Sequence, residues 1–596
     1  MPLHRLKFVS LVALCAAMPV IGTAHAAPRE ARAASPKIAI TLKPEPETAT
    51  GNDVRTVEVR LRFDGIATQA GTPLVYLAHV SDNVDTVATE LTTIAASDAA
   101  GPLRLSWRDR EISDGSAPSG KAGDTVREWV ADRATRGAIR MVYSVPAEAS
   151  APPRGPAPPT AFRNDDGGVS AAGNMFLLLP PGDARYQASV DWDLRLMPKG
   201  ARGMSSLGMG HATGTKPMSA NELLRTYFMG GRIGGWPARP DKAGFFSAWH
   251  GTPPFDGTDI MQWTGKLYAG YMAFFGEKPD HPYGVFLRYN PVNAGGGTAF
   301  FHSFVSTYGR GSGNGTDVDA SKSNIAHEMF HTFSPFIKVP EGKESSWFGE
   351  GLATLYQRRL PLRLGLMTPD YFLENLNYYA ARYYSSVKAT IPNAEIGKRF
   401  WQDTRVRTIA YDRGMLYFAN VDDQVRKATS NRQSLDDLML KMRAMEKSGA
   451  ALTNADWEHV LQDALGPQAV DAFRAFLAGN LQVPASDAFG PCFSRTTAKA
   501  RRYELGFEPD VLAEPTRIVR GLIPGSAAAA AGLRDGDEIV KPVPQDSIQG
   551  NQQEILTLDI RRDGRTFAIS YLPRGEEVDI YQWRRLPDVP DARCAL

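Results

Sequence analysis

A large excess of charge of one sign is missing. The chain holds 67 Lys and Arg against 65 Asp and Glu, a formal net charge of +2. Removing Arg5 and Lys7 with a leader brings it to 2 − 2 = 0. With no long basic run, this balance argues against nucleic acid or an anionic membrane as partner. Long apolar runs are also missing beyond the N-terminus, so no integral membrane segment is expected in the mature chain. Cysteine is scarce, with only three in 596 residues. Phosphate-binding signatures are lacking. The glycine-rich stretch 309–315 fits no G-x-G-x-x-G and leads to no Gly-Lys-Ser/Thr. A calcium loop starting at Asp317 would have Lys322 where glycine belongs and would lack its final glutamate.

What is present is an ordinary globular composition, 43% hydrophobic and 22% charged, in a chain too long for one core. Residues 1–26 read as a secretory signal, with Arg5 and Lys7, the apolar run 9–21 and the small-x-small site Ala24-His25-Ala26. A periplasmic or secreted protein is expected. Leu14 before Cys15 speaks against a lipid anchor. Cys492 and Cys594 then remain, an even pair that suggests a disulfide in an exported protein.

The strongest local signal is His-Glu-x-x-His at His327, Glu328 and His331. Positions i and i+4 share one helix face, so both imidazoles reach one metal ion. Glu328 lies about 100° round the helix, within reach of a water beside that ion. Ile325 and Met329, with Ala326, Phe330 and Phe333, predict a mostly buried helix that ends at Pro335. Asp317 or Asp319 is expected to cap it. Glu350 follows His331 by nineteen positions in Trp347-Phe-Gly-Glu-Gly351 and supplies a third ligand, leaving a fourth position open. One Zn²⁺ per chain is the expected cofactor.

Around this centre, alternating runs at 37–42, 56–63 and 139–144, with the apolar run 175–179, predict an antiparallel β domain over 36–210. A long loop is expected at 151–168. Residues 259–275 predict a helix, and 283–289 and 298–306 predict strands. Residues 351–477 read as helical, with a helix opening at Tyr411-Asp-Arg-Gly414. The tyrosines at 378, 379, 383 and 384 read as packing residues. From 501 strands and turns return, ending in a hairpin at Arg562-Asp-Gly-Arg565.

His327, Glu328, His331, Glu350 and Tyr411 together resemble the gluzincin metallopeptidases. With Ser434-Leu-Asp-Asp437 and the order of segments, the chain more narrowly resembles the glycyl aminopeptidase family, the sixty-first metallopeptidase family. The resemblance implies a multidomain α+β protein. Its parts would be the N-terminal β domain, a thermolysin-like mixed β/helical catalytic domain over 217–490, and a PDZ-like β domain over 497–575. It implies zinc held by His327, His331 and Glu350, Glu328 as general base, and Tyr411 as donor to the oxyanion. The family's substrate-side strand maps to Gly296, Gly297, Thr298, Ala299, Phe300 and Ser303, with Ala299 where the family carries the acid that pairs with a free α-amine. A peptide or protein substrate is implied, with weak selectivity for free N-termini. Glu504, Leu505, Gly506 and Phe507 resemble a loop that holds a peptide carboxylate, so a C-terminal peptide is a possible second partner. Residues 541–554 are short and rich in Pro, Gln, Asn and Gly and scarcely allow the helix walling such a groove. A silent peptide-binding protein and a zinc amidase acting on cell-wall peptides are alternatives. Glu328 beside the ligands favours hydrolysis.

Overall fold

A computed structural model describes residues 35–47, 53–82, 84–112, 124–147, 158–291, 294–310, 315–340, 342–543 and 545–596. The expected leader, part of the expected 151–168 loop and residues 311–314 of the glycine-rich stretch lie outside these.

Strands β1 (Lys37–Pro46), β2 (Val54–Asp64) and β3 (Ile139–Pro146) alternate buried and outward residues, as their sequences predict. β2 pairs antiparallel with β1 and β3. On its other side β1 pairs in parallel with β4 (Arg185–Trp192), so this sheet is mixed rather than antiparallel throughout. The chain between β3 and β4 is long enough for the crossover that parallel pairing needs.

That crossover also corrects two expectations. The second half of the 151–168 loop folds into the hairpin Arg163–Asp165 with Gly168–Ala172. The apolar run 175–179 is not a strand: it leaves a 3₁₀ turn and makes a single bridge, Leu179 to Tyr76. Its apolarity reflects complete burial, which a strand and a buried turn share. The second sheet of this region includes Tyr227–Gly231, so the β region runs past the expected end at 210.

Next comes a five-stranded sheet in the order β5 (Ile233–Trp236), β6 (Phe245–His250), β7 (Tyr283–Tyr289), β9 (Ser303–Tyr308), β8 (Gly297–Phe300). Helix α1 (Gly257–Phe274) connects the parallel pair β6 and β7. The single strand expected over 298–306 is instead the hairpin β8–β9, turning at Phe301-His302 with His302 at φ 45°. β8 is thus an edge strand.

Helices α2 (Val318–Phe333), α3 (Ser346–Arg363), α4 (Pro369–Tyr384) and α5 (Thr404–Ala428) follow. Tyr411 does not open α5, which starts seven residues earlier with Asp403 as cap (3.0 Å to Arg405 N). The rest of the Tyr-Asp-Arg-Gly run is structural. Asp412 makes a buried two-pronged pair with Arg382 of α4 at 2.8 and 2.6 Å. Arg413 bonds Asn393, and Gly414 meets Gly351 where α5 crosses α3. Ser434 and Asp437 form a reciprocal cap on the following helix.

At the C-terminus β10 (Phe493–Tyr503) pairs with β13 (Arg574–Arg585), a ribbon extending beyond both expected ends of the 497–575 module. Between them lie α6 (Asp546–Gly550) and the hairpin β11 (Leu556–Arg562) and β12 (Arg565–Tyr571). So 541–554 does form a helix, of five residues, held by tertiary packing rather than propensity. A Cβ at Gly550 would lie 2.5 Å from the Tyr378 ring. Leu505, Gly506 and Phe507 are buried, and Tyr571 Oη donates to the Leu505 carbonyl at 2.7 Å. Cys492 and Cys594 form a disulfide across 102 positions.

Candidate metal centre and active site

Asp317 caps α2, accepting from Ala320 N at 2.6 Å. Ile325, Met329, Phe330 and Phe333 bury the helix in the largest apolar core. That anchoring turns His327, Glu328 and His331 toward α3 and β8. Glu350 comes to them from the second turn of α3.

Three donor atoms converge. His327 Nε2 and His331 Nε2 are 3.1 Å apart, and Glu350 Oε2 lies 3.1 and 3.2 Å from them. Ligand bonds of 2.0–2.1 Å in a tetrahedron separate ligand atoms by about 3.3–3.4 Å. The triangle matches such a face within about 0.3 Å, so the residues fit zinc by geometry and by donor chemistry. Among the described residues no other set of three such donors comes together.

The surroundings tune each group. His327 Nδ1 lies 2.8 Å from Gln357 Oε1, a pure acceptor, so the proton sits on Nδ1 and Nε2 presents its lone pair. Gln357 in turn donates to Tyr379 Oη at 3.2 Å. Burial alone would raise the Glu350 carboxyl, but the charges and hydrogen bonds of His331 and His327 hold it well below the usual range. Burial pushes Glu328 up to about 7, with His327 pulling it down and Glu350 adding to the rise. A carboxylate poised near neutrality suits a general base. Tyr411 stacks on His327 at 5.8 Å between ring centres. Burial, then the Glu350 charge, keeps its phenol protonated far above the ordinary value.

The hairpin β8–β9 divides the expected substrate-side residues. A Cβ at Gly297 would fall 2.6 Å from Glu328 Cγ, so this strand lies directly against the candidate base. Ala299 shares that face by the two-residue period of a strand. Phe300 faces away, buried and 5.3 Å from the Tyr227 ring, and does not line the cleft. Ser303 is fully buried and shares a hydrogen with Ser206 at 2.6 Å, so it too is structural. Gly296 is tied inward to Thr307. Thr298 pairs with Val305 and shares the face of Phe300. Gln357 escaped sequence reasoning, as did Asn324, whose Oδ1 accepts from Ser306 Oγ at 2.8 Å and lies beside Gly297. A signal existed for Gln357, two turns after Glu350 on one helix face.

The fold and the centre together define a class: a mixed sheet whose edge strand flanks a His-Glu-x-x-His helix, with a glutamate ligand from the next helix. The same fold occurs in an aminopeptidase N family protein from Idiomarina loihiensis, at 14% identity and a TM-score of 0.64 over 93% of this chain and 99% of that one. An M1 zinc metallopeptidase from Deinococcus radiodurans aligns over 76% of this chain and 96% of its own, at 16% identity and a TM-score of 0.45. No family model matches the sequence, and no curated protein does.

Proposed function

We propose that the chain is an exported zinc-dependent metallopeptidase of the glycyl aminopeptidase kind, acting on peptides without requiring a free N-terminus. The observation that carries this is the donor triangle of His327, His331 and Glu350, with Glu328 pressed between it and the edge strand β8. Zinc bound there supplies a Lewis acid that polarises a carbonyl and lets water ionise near neutral pH. Edge strand β8 aligns the peptide by main-chain pairing beside Gly297. Glu328 accepts the proton of the attacking water and passes it to the leaving amine. Tyr411 donates to the oxygen on which negative charge develops. The export reading rests on residues 1–26, and the PDZ-like reading of the C-terminal module on Glu504 to Phe507.

The test is a digest of a mixed peptide library by the purified, zinc-loaded mature protein, read by mass spectrometry beside metal analysis. One zinc per chain and cleavage products absent with Glu328→Gln are expected. Sub-stoichiometric zinc after zinc-supplemented refolding, or no products from the library, overturns the reading.

A further inference from the structure

The outer edge of β8 is where a peptide would add as a further strand. In the antiparallel pair β8–β9, backbone groups alternate between the partner and the free side. Gly296 bonds Thr307, so the groups of Gly297 and Ala299 turn outward. Ala299 meets Arg225 there: Arg225 Nη2 donates to the Ala299 carbonyl at 2.8 Å. One step further, Phe301 N donates to the Arg225 carbonyl at 2.8 Å. The protein's own chain therefore closes the edge beyond Ala299. Only the span beside Gly297 and up to Ala299, about 7 Å of strand, remains for substrate.

Arg225 is exposed, and Ala299 O takes one of its five N–H groups. The nearby Glu222 is engaged elsewhere, with Arg185 at 2.9 Å and with Ser219 N at 2.7 Å. The residue on the cleft face at this point is Ala299, which brings no compensating acid. A guanidinium thus bonds the main chain of Ala299, the position at which the glycyl aminopeptidase resemblance puts an acidic side chain. A protonated α-amine would be repelled there, and a carboxylate would gain charge-assisted hydrogen bonds from the remaining N–H groups.

We infer that Arg225 is a specificity-determining residue that ends the cleft on the amino side of the scissile bond and selects a carboxylate there. The favoured substrates are peptides with an acidic residue or an acyl group bearing a carboxylate one to two positions before the bond cleaved. The inference rests on the peptidase reading above and on the resemblance that maps the partner of a substrate's α-amine to Ala299.

The experiment compares kcat/KM for three matched peptides, succinyl-Ala-, acetyl-Ala- and free Ala-, in the zinc-loaded wild type, Arg225→Gln and Arg225→Glu. The wild type should favour succinyl over acetyl by about tenfold. Arg225→Gln, which removes the charge and keeps an N–H donor, should bring the two within about twofold, and Arg225→Glu should make the free amine the best of the three. A wild type indifferent to the succinyl carboxylate, or an Arg225→Gln protein that keeps the preference, overturns the inference. Calorimetric affinities of the same peptides for zinc-loaded Glu328→Gln, with and without Arg225→Gln, read the preference without turnover. If no peptide is cleaved, the peptidase reading fails on its own. Equal affinities for succinyl and acetyl peptides then refute the role of Arg225 separately.

Discussion

Gly414→Ala tests how helices α3 and α5 are held together. Gly414 of α5 and Gly351 of α3 meet at the crossing, one turn from Tyr411 and one residue from Glu350. A Cβ on Gly414 would lie 2.5 Å from the Trp347 carbonyl oxygen and 2.8 Å from Gly351 Cα. Both are helix backbone and have no rotamer to escape into. Restoring ordinary contact of roughly 3.4 Å or more opens the crossing by somewhat under 1 Å. Helix propensity alone favours alanine by about 1 kcal/mol. Overpacking costs about 1–3 kcal/mol, and against rigid backbone the upper half applies. The expected net loss is about 1–2 kcal/mol, seen as a drop of a few degrees in Tm. Because the opening moves Tyr411 relative to Glu350, kcat should fall at least tenfold, since misplacements near 1 Å cost about a hundredfold. Zinc stoichiometry should be unchanged, as His327, His331 and Glu350 sit on the other side of the contact. The assay is thermal unfolding, metal analysis and single-substrate kinetics on one preparation. A raised Tm with wild-type kcat, which propensity alone would give, refutes the reasoning.

Three further outcomes are expected. Glu328→Gln should keep one zinc per chain and lose hydrolysis, and Tyr411→Phe should keep zinc and lose about a hundredfold in kcat, the cost of an oxyanion donor; metal analysis and kinetics of both decide, and wild-type turnover in either removes its assigned role. His250, buried at the end of β6, is pushed down to about 3 by burial and by Arg288, from an ordinary 6.5. The unfolded chain then binds the extra proton between those values, so stability is full above pH 6.5 and falls as pH drops toward 3, by up to about 1.4 kcal/mol per unit; His250→Gln should flatten this slope in urea titrations from pH 7 to 4.5, and parallel wild-type and variant curves count against it. Breaking the disulfide with Cys594→Ser frees a loop of 102 positions, worth up to about 4–5 kcal/mol of chain entropy, so Tm should fall by several degrees and the wild type should approach the variant under reductant; an unchanged Tm refutes that contribution.

The centre was readable because its geometry is local. An i,i+4 histidine pair needs only a helix, and Ile325, Met329, Phe330 and Phe333 say which face is buried. Glu350 needed only the next helix. The strand beside it was harder. Its turn at Phe301-His302 carries no Gly, Pro or Asn, and His302 reaches φ 45° because the β8–β9 pairing on one side and the Arg225 segment on the other fix the turn. Without that turn the run 298–306 looks like one strand, and neither Phe300's inward face nor Ser303's burial can be foreseen. The parallel pair β1–β4 joins residues about 150 positions apart, which no local pattern encodes. Arg225 is the clearest case: one arginine at the end of a five-residue helix acquires meaning only from Ala299, 74 positions away.

The C-terminal module bears on the same helix. α6 lies against α4 and α5, where Arg407 and Thr404 both bond the Asp546 carboxylate and Gln549 Nε2 donates to Thr404 Oγ1 at 2.9 Å. Arg399 reaches Asp510 at 2.8 Å, and Asn377 of α4 is bonded to Trp583 of β13. Arg407 stands one turn before Tyr411 on α5, and its charge opposes the rise that burial and Glu350 impose on the Tyr411 phenol. The face of α6 turned to α4 and α5 is thus occupied by intramolecular bonds, and in the buried Leu505-Gly506-Phe507 run Gly506 lies against Ser526 and Ala528. These contacts anchor the start of α5, while the Gly351–Gly414 crossing and the Arg382–Asp412 pair fix its middle. Tyr411 lies between the two anchor points, so its position against His327 depends on the C-terminal module as well as on the helices that carry the metal ligands.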